Sequence, residues 1–489
     1  MQEEKLTMPL VEAMLNYKNE HVYPLHTPGH KGGRGLVPQL QREFGACLPM
    51  DVSLMSELDD IHEPSGCIKK AQELAARLYG SDACFWAVNG TTQAIHAMLL
   101  TALAPGEKLL LPRNAHRSVA GGLILGGIEA AYLQPEYDAG FGIMTQVTAQ
   151  QVREALEKDA KIKAVLLTSP NYYGIAADVQ AIAEICHAHG VALLVDEAHG
   201  PHLGFHPELP KAALQCSADA CAQSTHKILG AFTQCSMLHV RGGRLDLQQA
   251  ADVMSLLTTT SPNYFLMASL DAARAQLAAR GREMAADALA AAAKLRRLCG
   301  GFAGLRVLEP KDIGCGGTGN IALDKTKVTV NFAAWGFTGV EAGDMLRRAG
   351  VAVELVDAAN VLFLVTYADN TGDYDAALAK IAGVLRQMER EKRPAKAAAG
   401  LDGWQVPPTQ SSLSLREVFY RPKKSVPLAE AAGKICGEQV SFYPPGIPVL
   451  LPGEIITREI IAYCQRMKKL GLPVSGPADV SLREIRTVS

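Results

Sequence analysis

The chain has almost no net charge. Its 48 lysines and arginines face 50 aspartates and glutamates, a balance of −2, and both signs are spread along its length. It therefore lacks the basic patch that a nucleic acid or a membrane surface asks for, and neither partner is expected. It also lacks any apolar run near the roughly 18 uninterrupted residues of a membrane span. The first residues, Met1-Gln2-Glu3-Glu4-Lys5, are charged and lead into no apolar signal segment, so a cytoplasmic protein is expected. The 11 cysteines are odd in number and scattered, with no C-x-x-C pair. That excludes a disulfide frame and a zinc site and points to reduced thiols; Cys235 needs no special role. The histidine pairs do not suggest metal binding either. His187 and His189 do not share a helix face, and His199 and His202 have no cysteine or carboxylate at a diagnostic interval. No repeat of solenoid period is present. What remains is an ordinary soluble composition, 48% hydrophobic and 20% charged, with a large core. At about 150 residues per domain, the 489 residues suggest two to four domains.

From about residue 80, short apolar runs alternate with longer helical patterns. Runs at 83–88, 108–111, 164–168, 191–195 and 218–223 read as buried strands, with helical stretches at 93–103, 152–158 and 179–189 between them. Strands that are apolar throughout and separated by helices predict a parallel sheet covered on both faces. Ligands of such sheets sit at the carboxyl ends of the strands, so the loops there are where function is sought. The Ala-, Leu- and Arg-rich stretch 268–298 predicts one long helix, or two. The expected division is a large domain at 1–300, a small α/β domain at 301–392, a Pro- and Ala-containing linker at 393–411 and a C-terminal α+β domain at 412–489.

The loops after the strands carry the chemistry. Asp196 ends the run Val191–Val195, and Lys227 stands 31 residues later in Ser224-Thr225-His226-Lys227. A lysine amine can form a Schiff base with the aldehyde of pyridoxal 5'-phosphate, and an acid nearby can keep the pyridine nitrogen protonated so that the ring accepts electrons. Asn89-Gly90-Thr91-Thr92 opens a helix after a strand. Its glycine allows a tight turn, and its N–H groups and hydroxyls suit a phosphate dianion; the alternative is a plain threonine-capped turn. His116, in Arg113-Asn114-Ala115-His116, is either a ring stacked on the cofactor or a polar loop histidine. His199 and Ala198 are expected near the same pocket. Ser224 and His226 can reach the phosphate while Lys227 reaches the aldehyde, although His226 also suits a satisfied core histidine.

Together these residues resemble the Orn/Lys/Arg decarboxylase family of fold-type-I pyridoxal-phosphate enzymes. The resemblance begins with Thr27-Pro28-Gly29-His30-Lys31-Gly32 and Leu58-Asp59-Asp60-Ile61-His62 and continues through the loops above. Further matches are Thr168-Ser169-Pro170-Asn171-Tyr172-Tyr173-Gly174, Thr258-Thr259-Thr260-Ser261-Pro262, Tyr443-Pro444-Pro445-Gly446-Ile447-Pro448 and Pro452-Gly453-Glu454. It is closest in plan to the short branch typified by a bacterial biosynthetic arginine decarboxylase, without an N-terminal wing domain. The resemblance implies Lys227 as the aldimine lysine, Asp196 as partner of the pyridine nitrogen, and His116 as the stacking ring. Gly90, Thr91, Thr92, Ser224 and His226 are implied around the phosphate. It also implies a homodimer in which Thr260 and Ser261 reach the phosphate of the neighbouring chain. Asn171 stands where the family usually has threonine, which removes one hydroxyl near the cofactor.

The expected reaction is α-decarboxylation of arginine, lysine or ornithine to an amine that feeds polyamine synthesis. The returning proton is expected from Lys227 or His199. The distal cation of such a substrate needs an acid. Glu454 is the first candidate and Asp59 the second; Glu454 also suits a helix-start carboxylate. An aminotransferase on the same fold, or a non-catalytic regulator, are the alternatives.

Overall fold

The computed structural model describes residues 6–313, 321–394, 406–442 and 448–489. The motif at 443–448 thus lies outside the described residues except for Pro448, as does most of the expected linker. The chain forms two compact units. The first comprises Met1–Ala102, Ala192–His206 and Lys211–Glu283; the second comprises Leu103–Val191, Pro207–Pro210 and Met284–Ser489.

In the first unit, the strand Ala192–Asp196 runs parallel to Ala220–Gln223, with Asp196 opposite Ala222. Both strands are buried along their whole length, as expected of apolar runs covered on two faces. Ser236–Val240 then pairs antiparallel with Ala220–Gln223 and with Ala83–Ala87. This strand is an antiparallel member in a mostly parallel arrangement. A parallel return needs a crossover of a dozen or more residues, usually with a substantial helix, whereas the connection here holds only the four-residue helix Thr225–Ile228. Its polar members also hide it in the sequence. Ser236 and His239 are fully buried because each has a partner: Ser236 hydrogen-bonds Thr91 and the Gln223 carbonyl, and His239 meets Gln223. The apolar core of this unit gathers Leu10, Ile68, Trp86, Met237, Tyr264 and Leu270. The long helix predicted from composition is a single helix, Tyr264–Gly300.

In the second unit, Lys108–Pro112 lies parallel to both Glu129–Leu133 and Ile162–Thr168. Lys327–Asn331 and Asn360–Leu364 pair antiparallel over a core that includes Val328, Trp335, Leu346 and Leu385. Toward the C-terminus, Lys423–Pro427 pairs with Glu484–Val488, and Val440–Phe442 pairs with Pro448–Leu450 and Val474–Ser475, all antiparallel. The helix Arg458–Lys469 packs its Ile460, Tyr463, Cys464 and Met467 face into this part of the core. Among the described residues, no helix is long and apolar enough to cross a membrane. None of the described His, Cys, Asp and Glu side chains form a group of three that could hold a metal ion.

Candidate active site

Two strand ends of the first unit bring an acid and a lysine together. Asp196 closes Ala192–Asp196, and Ser224 follows directly on the parallel neighbour and leads into the short helix that carries Lys227. The Lys227 Nζ lies 3.0 Å from Nε2 of the buried His199. Burial pushes the Asp196 carboxyl up to about 6, while the Lys227 cation and the Ala198 N–H, 3.2 Å from Oδ1, pull it down. A cationic ring nitrogen beside this carboxylate would hold it ionised, which is the partnership the sequence suggests.

A cluster of hydroxyls stands beside the lysine. Thr91 Oγ1 contacts the Ser224 hydroxyl and lies 3.0 Å from Ser236 Oγ, which donates to the Gln223 carbonyl at 2.7 Å. Thr91 belongs to the first turn of Gly90–Ala102, a 13-residue helix whose opening N–H groups add donors to the cluster. Gly90 has φ +75°, a conformation that suits glycine, and its N–H donates to the Gln234 carbonyl at 2.9 Å. Thr92 points to the exposed side of that turn. His226 is anchored through Nδ1 to the Cys235 carbonyl at 2.8 Å. A carbonyl only accepts, so Nδ1 carries the proton. Burial lowers the His226 pKa, and a neutral ring then offers a lone pair, not a proton, at Nε2. The set comprises an amine, a buried acid within its electrostatic reach, and hydroxyls at a helix start. It fits a group that has an aldehyde, a cationic ring and a phosphate.

Thr260 and Ser261 are exposed on the loop between two helices. The base of that loop is fixed by Gln93 Nε2, which donates to Thr258 Oγ1 at 2.7 Å. Gln93 and Ser236 drew no attention in the sequence. Gln93 is detectable in principle, since it sits three residues after Gly90 and accepts the Asn89 N–H at 3.1 Å in the manner of a helix cap. Beside Asp196, Glu197 is also fully buried. It accepts from Ala213 N–H at 2.7 Å and Gln223 Nε2 at 2.8 Å, and burial raises its carboxyl to about 7.

In the second unit, His116 is the N-cap of the helix Arg117–Gly126. Its Nδ1 accepts the Ser118 N–H at 3.3 Å and lies 2.8 Å from Ser118 Oγ, which fixes the ring's orientation. Asn171 ties its own loop to the segment at Met144 and Thr145. Its Oδ1 accepts from Tyr173 and Ile175 N–H, both at 3.0 Å, and its Nδ2 donates to the Met144 and Thr145 carbonyls, both at 3.3 Å.

The two candidate substrate acids are already committed in this structure. Glu454 is buried with Arg113, whose Nη2 lies 2.9 Å from Oε2. Leu451 N–H donates to the same oxygen, and Thr409 Oγ1 to the other, both at 2.6 Å. Nor does it start a helix, since the cap of Arg458–Lys469 is Thr457. Arg113 also donates to the Pro448 and Val449 carbonyls, so the pair binds the loop that carries His116 to a C-terminal strand. Asp59 accepts five backbone N–H groups, from Asp60, Ser65, Gly66, Ile68 and Lys69. Burial alone would raise its pKa, but these donors outweigh it and hold the carboxyl below its ordinary value.

Comparison with known proteins agrees with this geometry. The profile described as Orn/Lys/Arg decarboxylase, major domain, matches residues 8–314, and that of the C-terminal domain matches residues 405–476. An arginine decarboxylase of Bacillus anthracis is 36% identical over 482 residues, spanning 98% of this chain and 97% of that protein. An arginine decarboxylase of Halalkalibacterium halodurans is 37% identical over 487 residues, again with 98% and 97% coverage. Among solved structures, the Francisella novicida lysine decarboxylase superposes with a TM-score of 0.85 over 99% of this chain and 82% of that one, at 23% identity. At that identity the likeness carries the fold alone, which is α/β of fold type I, with parallel pairing among the strands ending at Asp196, Gln223, Pro112, Leu133 and Thr168.

Proposed function

Because the chain belongs to the Orn/Lys/Arg decarboxylase family, we propose that it removes the α-carboxylate of a basic amino acid, arginine first, with pyridoxal 5'-phosphate as its cofactor. When bound, that cofactor supplies an aldehyde for attachment of an amine and a protonated ring that accepts the electron pair released with CO2. The residues of the chain set the conditions. Lys227 Nζ would hold the aldehyde and is a group that could return a proton to Cα. His199, 3.0 Å away, is the second group able to carry that proton. Asp196 holds the proton on the ring nitrogen. Thr91, Ser224 and the first N–H groups of Gly90–Ala102 hold the phosphate, with Gly90, Thr92 and His226 around them. His116, oriented by Ser118, covers the ring. Asp196 and His199 are buried, so they would meet the cofactor in a water-poor setting, which favours loss of a charged carboxylate.

The observation that carries this reading is the placement of Asp196 and Lys227 at the ends of two adjacent parallel strands, with Lys227 Nζ 3.0 Å from the buried His199. Arginine comes first because the relatives at 36–37% identity bear that name. We also infer a cytoplasmic homodimer, with Thr260 and Ser261 serving the neighbouring chain's phosphate, and an amine product that feeds polyamine synthesis.

The test is direct. Purified protein with pyridoxal 5'-phosphate is given arginine, lysine and ornithine in turn, and CO2 and the amine are measured. CO2 from one of them is the expected outcome. Keto acid formed only with an added acceptor would mean an aminotransferase, and no product at all would mean a regulator.

A further inference from the structure

The second unit contains a cavity of about 110 Å³ that the reading above leaves unused. Tyr137, Tyr172, Tyr173 and Tyr463 line it together with apolar side chains such as Val449, and Asp357 is the one acid among the described lining residues. None of the described residues around it is basic. Tyr173 donates to Asp357 Oδ2 at 2.8 Å, while Ala359 and Asn360 N–H hold Oδ1 at 2.9 and 2.8 Å. Asn360 Nδ2 reaches both oxygens at 2.9 Å. The carboxylate is thus rigidly placed, yet every donor to it is neutral. Burial pushes its pKa up, and the groups that pull against it, Asn360, Ala359 and Tyr173, are all neutral. Burial raises the pKa of the Tyr173 and Tyr463 phenols, with Asp357 adding to the effect at Tyr173, so both act as neutral rings and dipoles.

We propose that this cavity binds a small organic cation, an alkylammonium or alkylguanidinium whose charged end meets Asp357 and whose methylene chain lies among the tyrosine rings. An aromatic wall attracts cations through the face of each ring, and an apolar surround with a single opposite charge strengthens that attraction. Asn114 also borders the cavity, two residues before His116 in the same loop. The cation therefore has two possible sources: the side chain of the amino acid substrate, or a free amine acting as an effector.

The experiment uses full-length, cofactor-loaded protein, with 1,4-diaminobutane as the probe and 1,4-butanediol as its uncharged counterpart, both followed by titration calorimetry. Diamine binding is expected, with the diol at least tenfold weaker. Asp357→Asn should weaken the diamine at least tenfold. Val449→Phe fills the cavity while leaving the acid intact, and should do the same even if the first variant folds poorly. A parallel fall in kcat/KM for the amino acid identifies the substrate's own side chain; unchanged kcat/KM identifies an effector amine. Equal affinity for diol and diamine, or undiminished diamine binding by Val449→Phe, overturns the proposal. Binding is read without turnover, so the outcome is separate from whether the chain decarboxylates anything.

Discussion

Lys227 and the buried Glu197 answer to different physics, and their variants separate accordingly. Lys227→Ala should abolish the visible-range absorbance of the bound cofactor and lower CO2 release by at least about 10²–10⁴-fold, the range for loss of a positioned proton-transfer group alone. Persistence of that absorbance band would place the attachment elsewhere. Glu197, next in the chain to Asp196, offers a test by pH. Its carboxyl is raised from an ordinary 4.5 to about 7 by burial. Between those values the folded chain keeps a proton that the unfolded chain has lost, so stability falls as pH rises through the window. A shift of this size is worth about 3 kcal/mol. Glu197→Gln has no proton to lose there, so its stability in urea should change less between pH 5 and 8 than that of the parent. An unchanged slope would mean that Glu197 is ionised throughout. Both acids were visible to different degrees in the sequence. Asp196 ends an apolar run, which marks it, whereas nothing local distinguishes Glu197 from a solvated neighbour.

The elements show the same division between local and distant information. The strands that end in Asp196 and Gln223 are legible because short, mainly apolar runs announce burial on two faces. Ser236–Val240 is not, because its serine and histidine look like surface residues until Thr91 and Gln223 are placed against them. Contacts between distant elements leave even less trace. Gln93 meets Thr258 across 165 residues, and Arg113 meets Glu454 across 341. No periodicity or spacing encodes such pairs, which is why Glu454 looked like a substrate acid instead of the partner of an arginine. The pair gives a clear expectation. Its side chains are 8% and 2% exposed, so Glu454→Leu alone strands a guanidinium in a dry interior and should cost about 3–5 kcal/mol in a denaturant titration. Arg113→Met added to it should recover most of that loss. If the double variant is no more stable than the single one, the salt bridge is not what holds the two elements together.

At the scale of the whole molecule, the family profiles and the relatives that match 98% of this chain extend the sequence reading from single loops to most of its length. The inferred homodimer is testable by sedimentation velocity. The active preparation should run at twice the chain mass, and dilution that produces monomer should remove activity, because Thr260 and Ser261 would then serve no neighbouring site. A fully active monomer would exclude the shared arrangement. The Arg113–Glu454 bridge also bears on how the chain is made. Arg113 leaves the ribosome 341 residues ahead of its carboxylate. At about 5–20 residues per second, the nascent polypeptide waits roughly 17–70 s with an uncompensated guanidinium destined for its interior. A message cut short before codon 454 would leave that charge stranded for good, so its product should be a substrate for quality-control proteases and not a smaller working enzyme.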